Sequence, residues 1–152
     1  MIIMPSLYPT LNLPKVAVSR LISKPDSYKS APMFDFDTGD FVRDAAGRIV
    51  MTSGKEAFME WCLKQCQTER FSRLAYSSKI GVEMRAAMKE SEEDPKAVRS
   101  AIERTITEAL MVHPSTEYVR KFEFALSGSD GLSVTFLVKG RDWDESPLTV
   151  VY

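Results

Sequence analysis

T-E-R-F-S-R-L-A-Y-S-S-K-I-G-V-E, residues 68–83, lies between two segments of helical period and ends in a glycine followed by a new apolar pattern. Arg70, Phe71, Arg73 and Tyr76 fall close together in it. The run is too apolar for a solvated linker and too irregular in period for a single helix. It reads as a buried crossover packed on the body of a domain, with Phe71, Leu74 and Tyr76 as anchors and Arg70 and Arg73 turned outward or toward carboxylates.

Upstream, Ser53 is placed as an N-cap with Glu56 three residues later, the spacing of a capping box. Residues 54–67 then carry Ala57, Phe58, Trp61, Cys62 and Gln65 on one helical face. Before that helix, 40–43 and 48–52 read as two short strands joined by Asp44-Ala45-Ala46-Gly47, where Gly47 supplies the positive φ of a tight hairpin. Asp35, Asp37, Asp40 and Asp44 lack the distal glutamate of a calcium loop and read as turn aspartates. Downstream, Ser77 or Ser78 opens a short helix through Met88. Asp94-Pro95 is an N-cap and first-turn pair for a longer one, and Pro114 stops it. That helix has an apolar stripe of Val98, Ala101, Ile102, Ile106, Ala109 and Leu110. Its wet face offers Arg99 with Glu103 and Arg104 with Glu108 as ion pairs four apart.

The clearest strand pattern follows. Tyr118, Phe122, Phe124 and Leu126 alternate on one face of 117–126, and Leu132, Val134, Phe136 and Val138 on one face of 132–138, with residues 127–131 as the hairpin loop. Residues 147–152 read as a third strand with an exposed edge, and removing 148–152 is expected to leave the domain folded. The fold class is α+β: an antiparallel sheet with about three helices packed on one face, plus an extended N-terminal arm. The arm is residues 1–33, which hold Pro5, Pro9, Pro14, Pro25 and Pro32 among scattered apolar residues without period. Residues 34–152 form a single domain.

The totals narrow the function. Twenty basic against twenty-one acidic residues in 152 give a net charge of -1, which excludes the electrostatic footprint of a nucleic-acid binder. No apolar run is long enough to cross a bilayer, so no membrane insertion is expected, and the absence of a basic leader before Pro5 points to a soluble, unprocessed chain. Cys62 and Cys66, with His113 as the lone histidine, fall short of a zinc set and read as free thiols. The glycines form no phosphate loop. His113 has no nucleophile placed beside it, and the carboxylates fall on wet faces or in turns, where nothing shifts a pKa. No catalytic, cofactor or metal residue is assigned. The alternative, a peptidoglycan-degrading hydrolase using a carboxylate pair, rests only on the abundance of carboxylates.

Three stretches in consistent order carry a resemblance: D-F-V-x-x-x-x-G-R-I-V-M-T-S-G-K-E-A, the 68–83 run, and A-I-E-R-T-I-T-E-A-L-M-V-H-P with V-R-K-F-E-F and G-L-S-V-T-F after it. Together, over roughly residues 34–140, they resemble the XkdS-like phage proteins. These are a branch of the baseplate wedge and sheath-initiator proteins of contractile phage tails, R-type bacteriocins and related injection systems. The resemblance implies structural work without catalysis or cofactor. It implies six copies in a ring around the tail tube, with sheath protein, wedge scaffold proteins and tube or hub proteins as partners. It also implies a place in the tail particle's baseplate after assembly in the host cytoplasm.

The sheath interface is then expected at Leu148, Val150 and Tyr152, acting by strand addition. The wedge interface is expected at Arg70, Arg73, His113 and Pro114, and the arm contacts at Leu7, Tyr8, Leu11 and Leu13. One departure stands out. Relatives in the better-studied branch of the family carry Glu-Pro-Arg at the helix-to-strand corner, and here the residues are His113-Pro114-Ser115.

Overall fold

The structure, a computed structural model, describes residues 28–89, 94–128 and 131–152. It is α+β. Strands β5 (Thr116–Ser127), β6 (Gly131–Gly140) and β7 (Ser146–Val151) form an antiparallel sheet in the order β5-β6-β7. Helices α1 (Gly54–Gln67) and α3 (Pro95–Met111) pack against its inner face, α1 beside β7 and α3 beside β5, and α2 (Met84–Lys89) packs on α3. The core lies between them, built on Phe58, Ile102, Ile106, Leu110, Val134, Phe136, Val138 and Val150. Ahead of α1, β1 (Ala31–Pro32) pairs with β4 (Met51–Thr52), and β2 (Phe34–Asp35) pairs with β3 (Asp40–Phe41).

The helix bounds follow local chemistry. Asp94 Oδ1 accepts from the Lys96 N–H at 2.9 Å and Pro95 occupies the first turn of α3, as the sequence requires. Ser53 stands at the start of α1 in extended conformation, but its side chain makes no capping bond, so the expected capping box does not form. Gly54 at φ 59° turns the chain into the helix at that point. The hairpin before α1 turns on Gly47 at φ 76°, and Asp44 Oδ1 accepts from both the Ala46 and Arg48 amides. Asp35 likewise accepts from the Asp37 amide, the turn role read for these aspartates. These backbone hydrogen bonds hold the carboxyls of Asp35 and Asp44 below the usual range.

Further expectations are corrected. The crossover is not buried: Phe71 is 70%, Leu74 109% and Tyr76 51% exposed. Glu69 and Val82 bridge side by side, so the ten residues between Arg70 and Gly81 loop outward, while Val82 and Met84 fill the core in their place. The helix expected from Ser77 or Ser78 starts only at Met84, because Gly81 stands at φ 92° and Val82 is engaged with Thr68. Neither Arg99–Glu103 nor Arg104–Glu108 forms an ion pair among the described residues; Arg99 instead lies over the Phe124 ring, 5.7 Å from its centre.

Finally, Tyr118 does not share a face with Phe122 and Phe124. Lys121 adopts φ 58° at a register shift between Arg120 and Glu123, and this bulge reverses the alternation. Val119, opposite Val138, faces the core and Tyr118, opposite Lys139, faces out. The β5–β6 hairpin is also tighter than expected, since Ser127 pairs with Gly131.

Candidate functional site

Two features of the sheet and its corner bear on function. The first is the edge at β7. Tyr152 and Leu132 exchange both backbone hydrogen bonds, so the antiparallel alternation makes 150/134, 148/136 and 146/138 the bonded pairs. The intervening residues Pro147, Thr149 and Val151 turn their main-chain groups away from β6, toward the side of the sheet on which no described strand pairs. Pro147, which has no N–H, therefore costs the ladder nothing where it stands. Thr149 keeps its place through a 2.9 Å contact between its hydroxyl and that of Thr135.

Leu148 and Val150, expected at an interface, are buried in the core. Their part is to seat the strand. Tyr152 is half-buried and its hydroxyl donates to the Cys66 carbonyl at 3.1 Å, tying the end of β7 to α1. Burial raises the Tyr152 hydroxyl far above its ordinary pKa, so it remains a donor. Removing 148–152 would take two core side chains and this tie, so the expectation that the truncated domain stays folded is corrected. The opposite edge differs: β5 carries the Lys121 bulge, a device that blunts strand pairing.

The second feature is an aromatic corner that the sequence did not disclose. The His113 ring lies 4.7 Å from Trp61, 5.2 Å from Tyr28 and 6.3 Å from Phe58, and Trp143 lies 5.3 Å from Phe58. Five rings from four separate chain segments meet here; of these, Phe58 and Trp61 were read on one helical face and His113 beside a helix stop, while Tyr28 and Trp143 belong to no periodic pattern. Burial pushes the Tyr28 hydroxyl up to about 12. His113 Nδ1 accepts from the Ser115 N–H at 3.0 Å, so the ring is neutral in the folded protein, and burial lowers its pKa below the ordinary 6.5.

The sign of the pH dependence follows. Near pH 6.5 the unfolded chain takes up a proton that the folded chain refuses, so stability is full above 6.5 and declines as pH falls toward the lowered folded value. Urea midpoints are expected to drop between pH 7.5 and 5.5 for the wild type and to stay level for His113→Gln. The depressed Asp35, Asp44 and Glu145 act only lower, through and below the usual carboxylate range.

The remaining wedge candidates separate. Arg70 is turned inward on its own loop, donating from Nε to the Gly81 carbonyl at 3.0 Å and from Nη1 to Glu83 Oε1 at 3.1 Å. Arg73 and Pro114 are exposed. Arg70 follows the C-terminal end of α1 whereas His113 packs on Phe58 and Trp61, nearer its start and middle, so the four do not form one patch. Leu7, Tyr8, Leu11 and Leu13 lie outside the described residues.

Chemistry is sparse in what remains. Burial pushes the Cys66 thiol up to about 12 and the Cys62 thiol higher still, which keeps both protonated and poor nucleophiles. On the outer sheet face Tyr118 donates to Glu145, Arg120 pairs with Glu145, and Lys139 pairs with Glu117. The Tyr118 hydrogen bond is the main cause of the lowered Glu145 pKa. Among the described residues no three His, Cys, Asp or Glu side chains are grouped to hold a metal ion, and no helix is long and apolar enough to cross a membrane.

The model of the contractile injection system sheath initiator family matches residues 31–142 of this chain. The phage-like element PBSX protein XkdS of Bacillus subtilis (strain 168) is 27% identical over 132 residues, 87% of this chain and 84% of that protein. The family match spans β1 to β6 and three of the five corner rings, Phe58, Trp61 and His113, while Tyr28, Trp143 and β7 lie outside it.

Proposed function

As the chain belongs to the contractile injection system sheath initiator family, we propose that it templates the first sheath ring by lending the open edge of β7 to a strand of a sheath subunit. Its work is structural, in the sheath-initiating part of a contractile tail. In the fuller reading, six copies ring the tail tube in the baseplate, bound to wedge scaffold proteins and neighbouring the tube or hub. The particle is assembled in the host cytoplasm. Arg73 and Pro114 are open to a wedge partner, while Arg70 and His113 serve it by holding the loop and corner that carry them. The arm, residues 1–33 with Leu7, Tyr8, Leu11 and Leu13, lies on its own domain or on a neighbouring subunit.

The observation that supports strand addition is the direction of the β7 main chain. Thr149 and Val151 turn their N–H and C=O groups to the open side, while the β5 edge is interrupted at Lys121. Each main-chain bond to an added strand contributes roughly 0.5–1.5 kcal/mol net, so a short pairing holds a subunit only where several copies act together.

Thr149→Pro tests this. The Thr149 N–H makes no bond to β6, so the fold loses at most about 1 kcal/mol. The incoming strand loses a donor and meets a ring. Sheath nucleation on purified baseplates is expected to fall at least tenfold, with Thr149→Val, which keeps the N–H, nucleating normally. Normal sheaths on the proline variant would exclude this edge.

A further inference from the structure

The ten residues that loop out between Arg70 and Gly81 are built in a way that the fold itself does not require. Their base is closed tightly. The Arg70 N–H donates to the Val82 carbonyl at 2.8 Å and the Val82 N–H to the Thr68 carbonyl at 2.9 Å. Gln65 accepts the Gly81 N–H at 2.7 Å from within α1, and the Arg70 guanidinium spans the neck from Gly81 to Glu83. Two further turns shape the tip, Tyr76 N–H to Arg73 carbonyl at 3.1 Å and Ile80 N–H to Ser77 carbonyl at 3.0 Å. A compact loop closed at its ends is a common carrier of binding residues.

The tip spends this rigidity on display. Phe71 stands at φ 62°, a left-handed position where a glycine would be free of strain and an aromatic is uncommon, and its ring is largely in water. Leu74 and Tyr76 join it in the open. Among the described residues, none of the three side chains joins the core. Between Arg70 and Val82 there is no acidic residue, whereas Arg73 and Lys79 are cationic, in a chain whose net charge is -1.

We infer that the 71–80 loop is a docking plug: Phe71, Leu74 and Tyr76 enter an apolar depression on another protein subunit of the particle, and Arg73 and Lys79 meet an acidic rim around it. Aromatic anchors fixed in advance and ringed by charge are what concentrate binding at a protein interface. A membrane is the poorer fit, because two cations and three apolar side chains are too few for stable adsorption. The proposal rests on the tail reading above but uses a surface separate from the β7 edge.

The test resupplies the full chain, as wild type or variant, to the native host deleted for it, and measures its share in sedimented tail particles. Phe71→Gly/Leu74→Ser/Tyr76→Ser is expected to keep its thermal midpoint, since glycine in place of Phe71 relieves the backbone strain there, while its incorporation falls at least tenfold. Arg73→Glu/Lys79→Glu is expected to lower incorporation several-fold, with Thr149→Pro still incorporated and lacking sheath. Wild-type incorporation of the triple variant overturns the proposal, as does a loss that tracks lowered thermal stability. Loop-dependent co-sedimentation of the purified chain with phosphatidylserine vesicles overturns it in favour of a lipid surface. A wild-type chain found in an assembly other than a tail overturns the functional reading instead, and the ratio of variant to wild type in that assembly still decides the loop.

Discussion

Gly81→Ala is expected to be among the most destabilising single substitutions in the chain, lowering stability by roughly 3–5 kcal/mol and the thermal midpoint by about 10–15 °C. Gly81 stands at φ 92°, and a Cβ built there would lie 2.4 Å from the Thr68 carbonyl oxygen and 3.0 Å from the Arg70 nitrogen. Both are main-chain atoms held in the bridge, so neither can swing aside as a side chain would. Relief would separate Thr68 from Val82 and withdraw the Gly81 N–H from the buried Gln65 acceptor. Gly39→Ala is the matched control: φ is 73° there, but nothing lies within 4 Å of the added carbon, so only the backbone strain of about 1 kcal/mol applies. Equal losses in urea denaturation for the two variants would show that the neck is looser than described.

Phe58→Ala is expected to cost a similar amount, about 3–5 kcal/mol. Phe58 is fully buried and shares the corner with Trp61, Tyr28, His113 and Trp143 at 5.3 to 6.3 Å between ring centres. Deleting it removes the common partner of rings from four segments. Near-ultraviolet circular dichroism from the two tryptophans should collapse along with stability, while Phe58→Leu, which refills most of the volume, should lose less than half as much. A corner insensitive to both changes would deny it the role of joining α1, the helix-to-strand corner and the turn after β6.

The same residues show where the sequence was readable. Helices α1 and α3 were legible because each carries a long apolar stripe, and for α3 because Asp94-Pro95 states its start. Strands β6 and β7 were legible because alternation runs unbroken along them. Alternation failed at β5 because one residue, Lys121, takes a left-handed backbone that a periodic pattern does not encode. The 71–80 loop misled for a different reason. Apolar residues were read as core, since burial is their usual fate, and only the Gly81 neck, formed by contacts distant in sequence, reveals that they face outward.

Of the interface candidates, the strand at 147–152 was legible but its division of labour was not. Leu148, Val150 and Tyr152 were expected to make the added pairing, whereas the outward main-chain groups belong to Thr149 and Val151. That distinction depends on pairing parity with β6, which no composition rule supplies. The corner at His113 was singled out as a lone histidine beside a proline, and the four rings around it could be found only once α1 was placed against the turn at Trp143.

The tie between the Tyr152 hydroxyl and the Cys66 carbonyl has a mechanical consequence. Hydrogen bonds of an antiparallel pair lie across the strands, so a pull along β7 loads its bonded pairs with β6 in shear, all at once. A pull away from the sheet would open them one after another, beginning at a free end. Tyr152 closes the end that would otherwise start to peel, by fastening it to a helix. A strand gripping the outer edge of β7 therefore meets a support that resists tension along its own axis, the direction in which a lengthening or shortening neighbour would draw on it.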